Sequence, residues 1–100
     1  MNSDNDNYEI KAQVCMSKSD ALAQLDKFDE AINVLDNFVN HVKTPDYVKS
    51  DVLIQKAMLL REMGNKDAAE LAEYKAVELA ESPEIREELL KIIEQLRKDF

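Results

Sequence analysis

The chain of 100 residues is poor in the residues that interrupt helices, because it has one glycine and two prolines. It also lacks the alternating runs of valine, isoleucine and threonine that mark half-buried strands. Few interruptions leave room for long elements, and 45% apolar residues are enough for one modest core. The sequence therefore predicts a single all-α domain.

One cysteine and one histidine leave little material for disulfides or metal sites. Cys15 has no second thiol to pair with, and His41 has no partner at metal-ligand spacing. Glycine-rich phosphate loops and nucleophile motifs are missing as well. We therefore expect no cofactor, no metal and no enzymatic activity.

Strongly basic segments and long apolar runs are equally scarce. A net charge of −8, with lysines interleaved among acids, argues against a nucleic-acid partner. No stretch has membrane-spanning length, and the N-terminus has no basic segment followed by an apolar run, so we expect neither a membrane partner nor a secretory signal. By elimination we expect a cytoplasmic protein, in which the acidic balance serves solubility or favours basic partners.

What the chain does have is a helical pattern that occurs twice, so that Lys11 and Pro45 recur as Lys49 and Pro83. Repeats of this length are usually helical units, each of which buries one face against its neighbour. When residues 11–45 are placed on residues 49–83, the identical positions lie at apolar contacts and at helix boundaries. The first copies of these residues are Lys11, Val14, Lys18, Leu22, Asp29, Ala31, Val39 and Pro45.

Start and stop signals divide the chain into a tail and five helices. Residues 1–7 are predicted to be a disordered tail, which ends in an Asp6 or Asn7 that can cap the first helix. Residues 8–100 are predicted to form one domain, with repeat 1 at about 8–44, repeat 2 at about 45–82 and a C-terminal helix at 83–100. The predicted helices are Tyr8–Leu25, Asp29 to His41 or Val42, Asp46–Met63, Lys66–Ala80 and Glu84 to about Asp99.

Two kinds of boundary signal support this division. Gly64 follows the third helix, where only glycine enters the left-handed conformation without a Cβ penalty. Thr44 and Ser82 each precede a proline and an acid, so we expect two copies of one cap, a hydroxyl followed by proline at the first helical position.

Apolar stripes predict the buried faces of the first and third helices. On the first helix they are Cys15, Ser19 and Leu22, with Val14, Ala21 and Leu25 beside them. On the third helix they are Val52, Leu53, Ala57, Leu60 and Met63.

Two segments resemble the start of the second helix of a tetratricopeptide repeat. They are Phe28-Asp29-Glu30-Ala31-Ile32 and Gly64-Asn65-Lys66-Asp67-Ala68-Ala69, the latter followed by Ala76 and Pro83. The resemblance covers roughly Lys11 to Pro83 as two degenerate repeats. The small residues of the first helices then correspond to Ser19 and Ala57, and the bulky residues after them to Leu22 and Leu60.

The resemblance implies a non-catalytic interaction module, an adaptor or scaffold that holds a peptide or helical segment of another protein in a concave groove. Met16, Asp20, Ile54 and Met58 stand where the chaperone-binding members carry carboxylate-gripping side chains, so an apolar or amphipathic segment suits this groove better. The alternative is that some of these residues are core or are covered by the fifth helix. The implied lining is Gln13, Met16, Ser17, Asp20, Gln24, Asp51, Ile54, Gln55, Met58 and Glu62.

The fifth helix suggests a second function, because its apolar face is wide. An unpaired apolar face at the end of a repeat array favours self-association, such as a homodimer, or a docked partner. The alternative is that this helix folds into its own repeat and exposes little. The candidate interface residues are Ile85, Leu89, Ile92, Ile93, Leu96 and Phe100.

Overall fold

Five α-helices make up the fold in the computed structural model, which describes residues 7–41 and 43–99. The helices are α1 (Tyr8–Gln24), α2 (Phe28–Val39), α3 (Asp46–Glu62), α4 (Lys66–Leu79) and α5 (Pro83–Asp99). The described residues contain no strand, so the predicted all-α class is confirmed. All five helix starts agree with the predicted ones to within one residue, whereas the predicted tail at residues 1–6 lies outside the described part. None of the described helices is long and apolar enough to cross a bilayer.

Side-chain caps fix three of the helix starts. The Oδ1 atoms of Asn7 and Asn65 accept hydrogen bonds from backbone N–H groups three residues on, at 3.1 and 3.3 Å. The Oγ atom of Ser82 accepts one from the N–H of Ile85 at 3.1 Å. Each cap satisfies a donor that the helix leaves unpaired and contributes about 1 kcal/mol. The predicted caps at Asn7 and Ser82 are thus confirmed.

Gly64 ends α3 in the left-handed region, with φ of 83°. Its N–H donates to the carbonyl of Arg61 at 3.0 Å, and the N–H of Asn65 donates to the carbonyl of Leu60 at 2.8 Å. This pair of bonds is a Schellman motif, which satisfies carbonyls at the helix end. The predicted role of Gly64 is confirmed.

The turn after α1 has the same two hydrogen bonds one repeat earlier, with Asp26 in place of glycine. The N–H of Asp26 donates to the carbonyl of Ala23 at 2.9 Å, and the N–H of Lys27 donates to that of Leu22 at 2.8 Å. Asp26 is the one described non-glycine residue with a positive φ, at 62°. Asp26 corresponds to Gly64 in the same alignment that places Lys11 on Lys49, so equivalent positions of the two hairpins share this backbone geometry.

Thr44 does not act as the predicted copy of the Ser82 cap. Its Oγ1 donates to the carbonyl of Phe38 at 3.2 Å, so the hydroxyl serves the end of α2 rather than the start of α3. Pro45 is the N-cap of α3, without a side-chain cap, whereas Pro83 is the first residue of α5. Phe38 is in the last turn of α2, where the carbonyls lack a donor within the helix. In the alignment that places Lys11 on Lys49, α5 starts one residue earlier than α3 does.

The core consists of three clusters, each of which joins neighbouring helices. The close approach of α3 to α4 depends on small residues, and Ala57 and Ala69 are fully buried there, as Ser19 and Ala31 are in the first hairpin. The α1–α2–α3 cluster is Ala12, Cys15, Ala31, Leu35, Val48, Val52 and Leu59, and the α3–α4–α5 cluster is Leu53, Ile54, Ala76, Ala80, Leu89 and Ile93.

Four apolar residues predicted to be buried are exposed. Val14 and Leu25 of α1 are 64% and 66% exposed, Ala21 between them is exposed, and Met63 at the end of α3 is 39% exposed. The helix α1 makes its main contacts with α2 and α3, and the stripe that contains Cys15 and Ser19 is buried in them. The second stripe then faces solvent, and the prediction for Val14, Ala21 and Leu25 is wrong.

A buried ion pair between α3 and α4 was not foreseen from the sequence. The Nε and Nη2 atoms of Arg61 each lie 2.9 Å from a carboxylate oxygen of Glu73, and both side chains are almost completely buried. From α5, the Nη2 atom of Arg97 lies 3.8 Å from Glu73 Oε1. In the first hairpin the equivalent positions, one repeat earlier, are Ala23 and Leu35. An arginine–carboxylate pair thus takes the place of an apolar pair.

Candidate functional site

The residues predicted to line a groove lie on matching sides of α1 and α3. On α1 they are spaced by three and four residues, so they follow one side of the helix. Met16 is half-buried, whereas Gln13, Ser17, Asp20 and Gln24 are exposed.

On α3 the matching side is exposed except at one residue. Asp51, Met58 and Glu62 are exposed and Gln55 is half-buried. Ile54 is only 8% exposed, because it packs in the core cluster that contains Leu89 of α5. The assignment of Ile54 to the groove is therefore wrong, and this side chain belongs to the core.

A cleft of about 330 Å³ opens between the N-terminal halves of α1 and α3. It brings together three of the predicted groove residues, Gln13, Met16 and Asp51. The cleft does not include Ser17, Gln24, Met58 or Glu62. Its remaining lining is Glu9, Ile10, Ala12 and Val48, which sequence reasoning did not assign to a site.

Two further groove residues meet beyond this cleft. The Nε2 atom of Gln55 donates a hydrogen bond to Oδ1 of Asp20, which joins α1 to α3 across the groove. The missed Glu9 could have been found from spacing, because it precedes Gln13 by one helical turn and so lies on the same side of α1.

Negative charge gathers at the end of the groove near Glu9. Burial, followed by the charge of Glu9, raises the pKa of Asp51. Burial, the charge of Glu9, a hydrogen bond to Glu9 and the charge of Glu81 all raise the pKa of Tyr47. Tyr47 is 41% exposed, so its ring is accessible beside these carboxylates.

The lysines of α1 and α3 lie on the other side of their helices. A turn of about 100° per residue places Lys11 and Lys18 about 140–160° around α1 from Gln13. Lys49 and Lys56 have the same relation to Asp51 on α3. The Nζ atom of Lys11 lies 4.9 Å from the centre of the Tyr8 ring, and that of Lys56 lies 2.7 Å from Asp36 Oδ1 on α2.

The interface predicted on α5 is divided between core and surface. Leu89, Ile93 and Leu96 are buried, so their assignment to an oligomer interface is wrong. Ile85 and Ile92 are exposed, and Phe100 lies outside the described residues. The buried side chains of α5 are Leu89, Ile93 and Leu96, because their spacing follows the period of an α-helix packed on α4. Ile85 and Ile92, the other members of the predicted heptad, lie at the edge of this buried face.

Cys15 and His41 border a second cleft, of about 340 Å³, between α1 and α2. Burial raises the pKa of the Cys15 thiol, and its Sγ donates to the carbonyl of Val34 at 3.5 Å, as expected of a small buried side chain. Among residues 7–41 and 43–99 no group of histidine, cysteine or acidic side chains is placed to hold a metal ion.

Among known families, the tetratricopeptide repeat family matches residues 50–83, which cover most of α3, the Gly64 turn, all of α4 and the first residue of α5. No curated protein and no solved structure gives a significant match to the chain. The match spans a helix–turn–helix hairpin that turns at Gly64 and has two small residues, Ala57 and Ala69, fully buried between its helices. Residues 50–83 are therefore similar to a tetratricopeptide repeat, and that family is a non-catalytic module that generally mediates binding between proteins.

Proposed function

We propose that this protein binds a peptide or helical segment of another protein in the groove between α1 and α3. The observation that carries the proposal is the cleft that unites Gln13, Met16 and Asp51 from matching sides of two first helices. Methionine adapts to varied apolar shapes, and the nearby amides of Gln13 and Gln55 can hydrogen-bond a peptide backbone. An amphipathic segment fits this combination.

The proposal includes the interpretation of residues 8–44 as a further repeat. Three observations support it: the Schellman turns at corresponding places in the two hairpins, the buried pair Ser19 and Ala57, and the buried pair Ala31 and Ala69. Two repeats place α1 beside α3, and a groove of this family needs at least two such first helices.

The proposal is tested by selecting displayed random peptides against the protein and measuring their affinity by fluorescence anisotropy. We expect Met16→Asp to weaken the selected peptides by at least about tenfold, or about 1.4 kcal/mol, because it places a charge on the apolar floor. Val14→Asp is the matched control, since Val14 is on the same helix, is exposed and does not line the cleft. Circular dichroism checks that both variants remain helical.

Peptides that bind both variants equally well would contradict the groove as the binding site. Peptides whose affinity changes only with substitutions on α4 would contradict it as well. Met58→Asp extends the test to the far part of the groove, where a long segment would also contact α3.

A second candidate function is self-assembly through α5. It is favoured by three exposed apolar side chains on that helix, Ile85, Leu90 and Ile92, which are 40%, 49% and 44% exposed. Ile85 and Ile92 lie on one edge of the buried face of α5 and Leu90 lies on the other edge. Exposed apolar groups of this kind are typical of surfaces that another chain covers. In this case the protein forms a dimer that persists on dilution, and the groove serves assembly or is idle.

A further inference from the structure

We infer that the partner segment is basic, and that one of its lysine or arginine side chains binds between Glu9, Tyr47 and Asp51. This inference rests on the proposed function, because it concerns the chemistry of the segment that the α1–α3 groove accepts. It goes further by assigning the occupant a charge and an anchoring side chain.

The first argument is the separation of charge across α1 and α3. The groove side of the two helices carries Glu9, Asp20, Asp51 and Glu62, and the predicted lining contains no lysine or arginine. The lysines of both helices lie on the other side. The charged side chains that a partner meets in the groove of these two helices are therefore all carboxylates, and a basic segment complements them.

The second argument is the composition of the groove end. Tyr47 presents a partly exposed aromatic ring whose hydroxyl pKa is raised by desolvation and by the charge of Glu9, and Glu9 lines the cleft with Asp51. An aromatic face attracts a cation held over it, and carboxylates form charge-assisted hydrogen bonds with ammonium or guanidinium groups. Together they provide the usual surroundings of a bound lysine or arginine side chain.

The third argument concerns the kind of cation. The same cleft has an apolar floor formed by Ala12, Met16 and Val48. A hydrated metal ion would not bury these apolar side chains. No acidic group among the described residues has the arrangement of a metal site. A basic side chain next to an apolar one satisfies both parts of the cleft, so the occupant is an amphipathic segment with a cationic residue.

The fourth argument is that the free groove holds a repulsion which such a partner relieves. The carboxyl of Asp51 is partly desolvated, although the residue as a whole is exposed, and it feels the like charge of Glu9. Both effects raise its pKa and disfavour the ionised form. A cation placed between the two carboxylates removes this repulsion. Binding of a basic side chain is thus assisted by an interaction that is absent for a neutral one.

The experiment uses the peptides selected by display against the full chain. We expect them to be enriched in lysine or arginine next to an apolar residue, and we expect Glu9→Gln and Asp51→Asn each to weaken them by about tenfold. Glu78→Gln, an exposed position on α4, is the control with the same change of net charge. Replacing the basic residue of the peptide by glutamine should cost at least as much in the parent protein, and should cost less in Glu9→Gln, where only Asp51 remains to pair with it.

The outcomes distinguish binding in the groove from the basic character of the bound segment. Peptides that lose affinity in Met16→Asp but are neutral or acidic would overturn the basic partner and leave the groove standing. An equal effect of Glu9→Gln and Glu78→Gln would also overturn it, since only net charge would then matter. Absence of any peptide that depends on Met16 would overturn the groove itself, and the basic partner with it.

Discussion

Among the described residues other than glycine, Asp26 alone has a positive φ, a conformation that residues with a Cβ atom rarely adopt. It occupies the left-handed position that Gly64 occupies in the next repeat, with the same pair of hydrogen bonds around it. A non-glycine residue there costs about 1 kcal/mol relative to glycine, although aspartate tolerates it better than most.

We expect Asp26→Gly to raise the free energy of unfolding by about 0.5–1 kcal/mol, because glycine removes the Cβ strain. Gly64→Ala should lower it by about 1 kcal/mol, and this cost is conformational, because a Cβ at Gly64 would meet no atom within 4 Å. Urea unfolding at neutral pH measures both. If Asp26→Gly destabilised the protein, the Asp26 carboxylate would have to make a stabilising interaction that outweighs the strain.

Asp51 is a residue whose charged form opposes the stability of the fold. Because its pKa is raised in the folded state, folding favours the protonated form, and the charged form lowers stability above that pKa. We therefore expect Asp51→Asn to be more stable than the parent at pH 7. This advantage should shrink as the pH falls through the raised pKa and should vanish below the unfolded value near 3.8.

Unfolding by urea at pH 7 and at about pH 3 checks this pH dependence. Asp20→Asn is the control, because Asp20 accepts a hydrogen bond from Gln55 and its charge serves that contact. An equal gain in both variants would mean that lower net charge, rather than the surroundings of Asp51, stabilises the fold.

At the scale of the helices, their existence and starts were predictable, whereas their rotation in the packed fold was only partly so. Caps such as Asn7 and Ser82, and the Gly64 turn, are local signals that act within a few residues. Which side of a helix is buried depends on its neighbours, and no pattern in α3 indicates that α5 will cover Ile54. For this reason the cleft contains three of the predicted groove residues, whereas Ile54 lies in the core.

The contribution of the buried Arg61–Glu73 ion pair to stability can be tested by replacing it with the apolar residues at the equivalent positions of the first hairpin. We expect Glu73→Leu alone to lower the free energy of unfolding by about 3–5 kcal/mol, because it leaves the guanidinium of Arg61 buried without its partner. The double variant Arg61→Ala with Glu73→Leu copies Ala23 and Leu35 of the first hairpin and should recover most of the loss.

Chemical denaturation of the two variants and the parent measures this recovery. A double variant as unstable as the single one would mean that the α3–α4 interface cannot close around an apolar pair. The sequence did not reveal this pair, because Arg61 and Glu73 are far apart along the chain and lie on different helices.

At the scale of the whole molecule, the proposed self-assembly through α5 makes a prediction about the oligomeric state of the protein. If the protein is a dimer through α5, we expect Leu90→Glu with Ile92→Glu to give a folded monomer, because both side chains are exposed within one chain. Leu96→Glu should instead unfold the protein, since Leu96 is buried. Light scattering over about a hundredfold range of concentration measures the mass, and circular dichroism measures the fold.

A parent protein that is monomeric throughout that range would exclude self-assembly through α5. A dimer that survives Leu90→Glu with Ile92→Glu would place the contact elsewhere on the molecule. The exposed Val14 and Leu25 of α1 would then be the next positions to change.

The division of charge between the two sides of α1 and α3 also has a kinetic consequence. Because the carboxylates lie on the groove side of α1 and α3 and the lysines lie on the opposite side, the two helices carry an electric dipole across them. A basic partner that comes within about 10 Å at about 0.1 M salt feels that field before contact, and is turned toward the groove rather than toward the lysines. Added salt would then slow the arrival of such a partner far more than it hastens its departure.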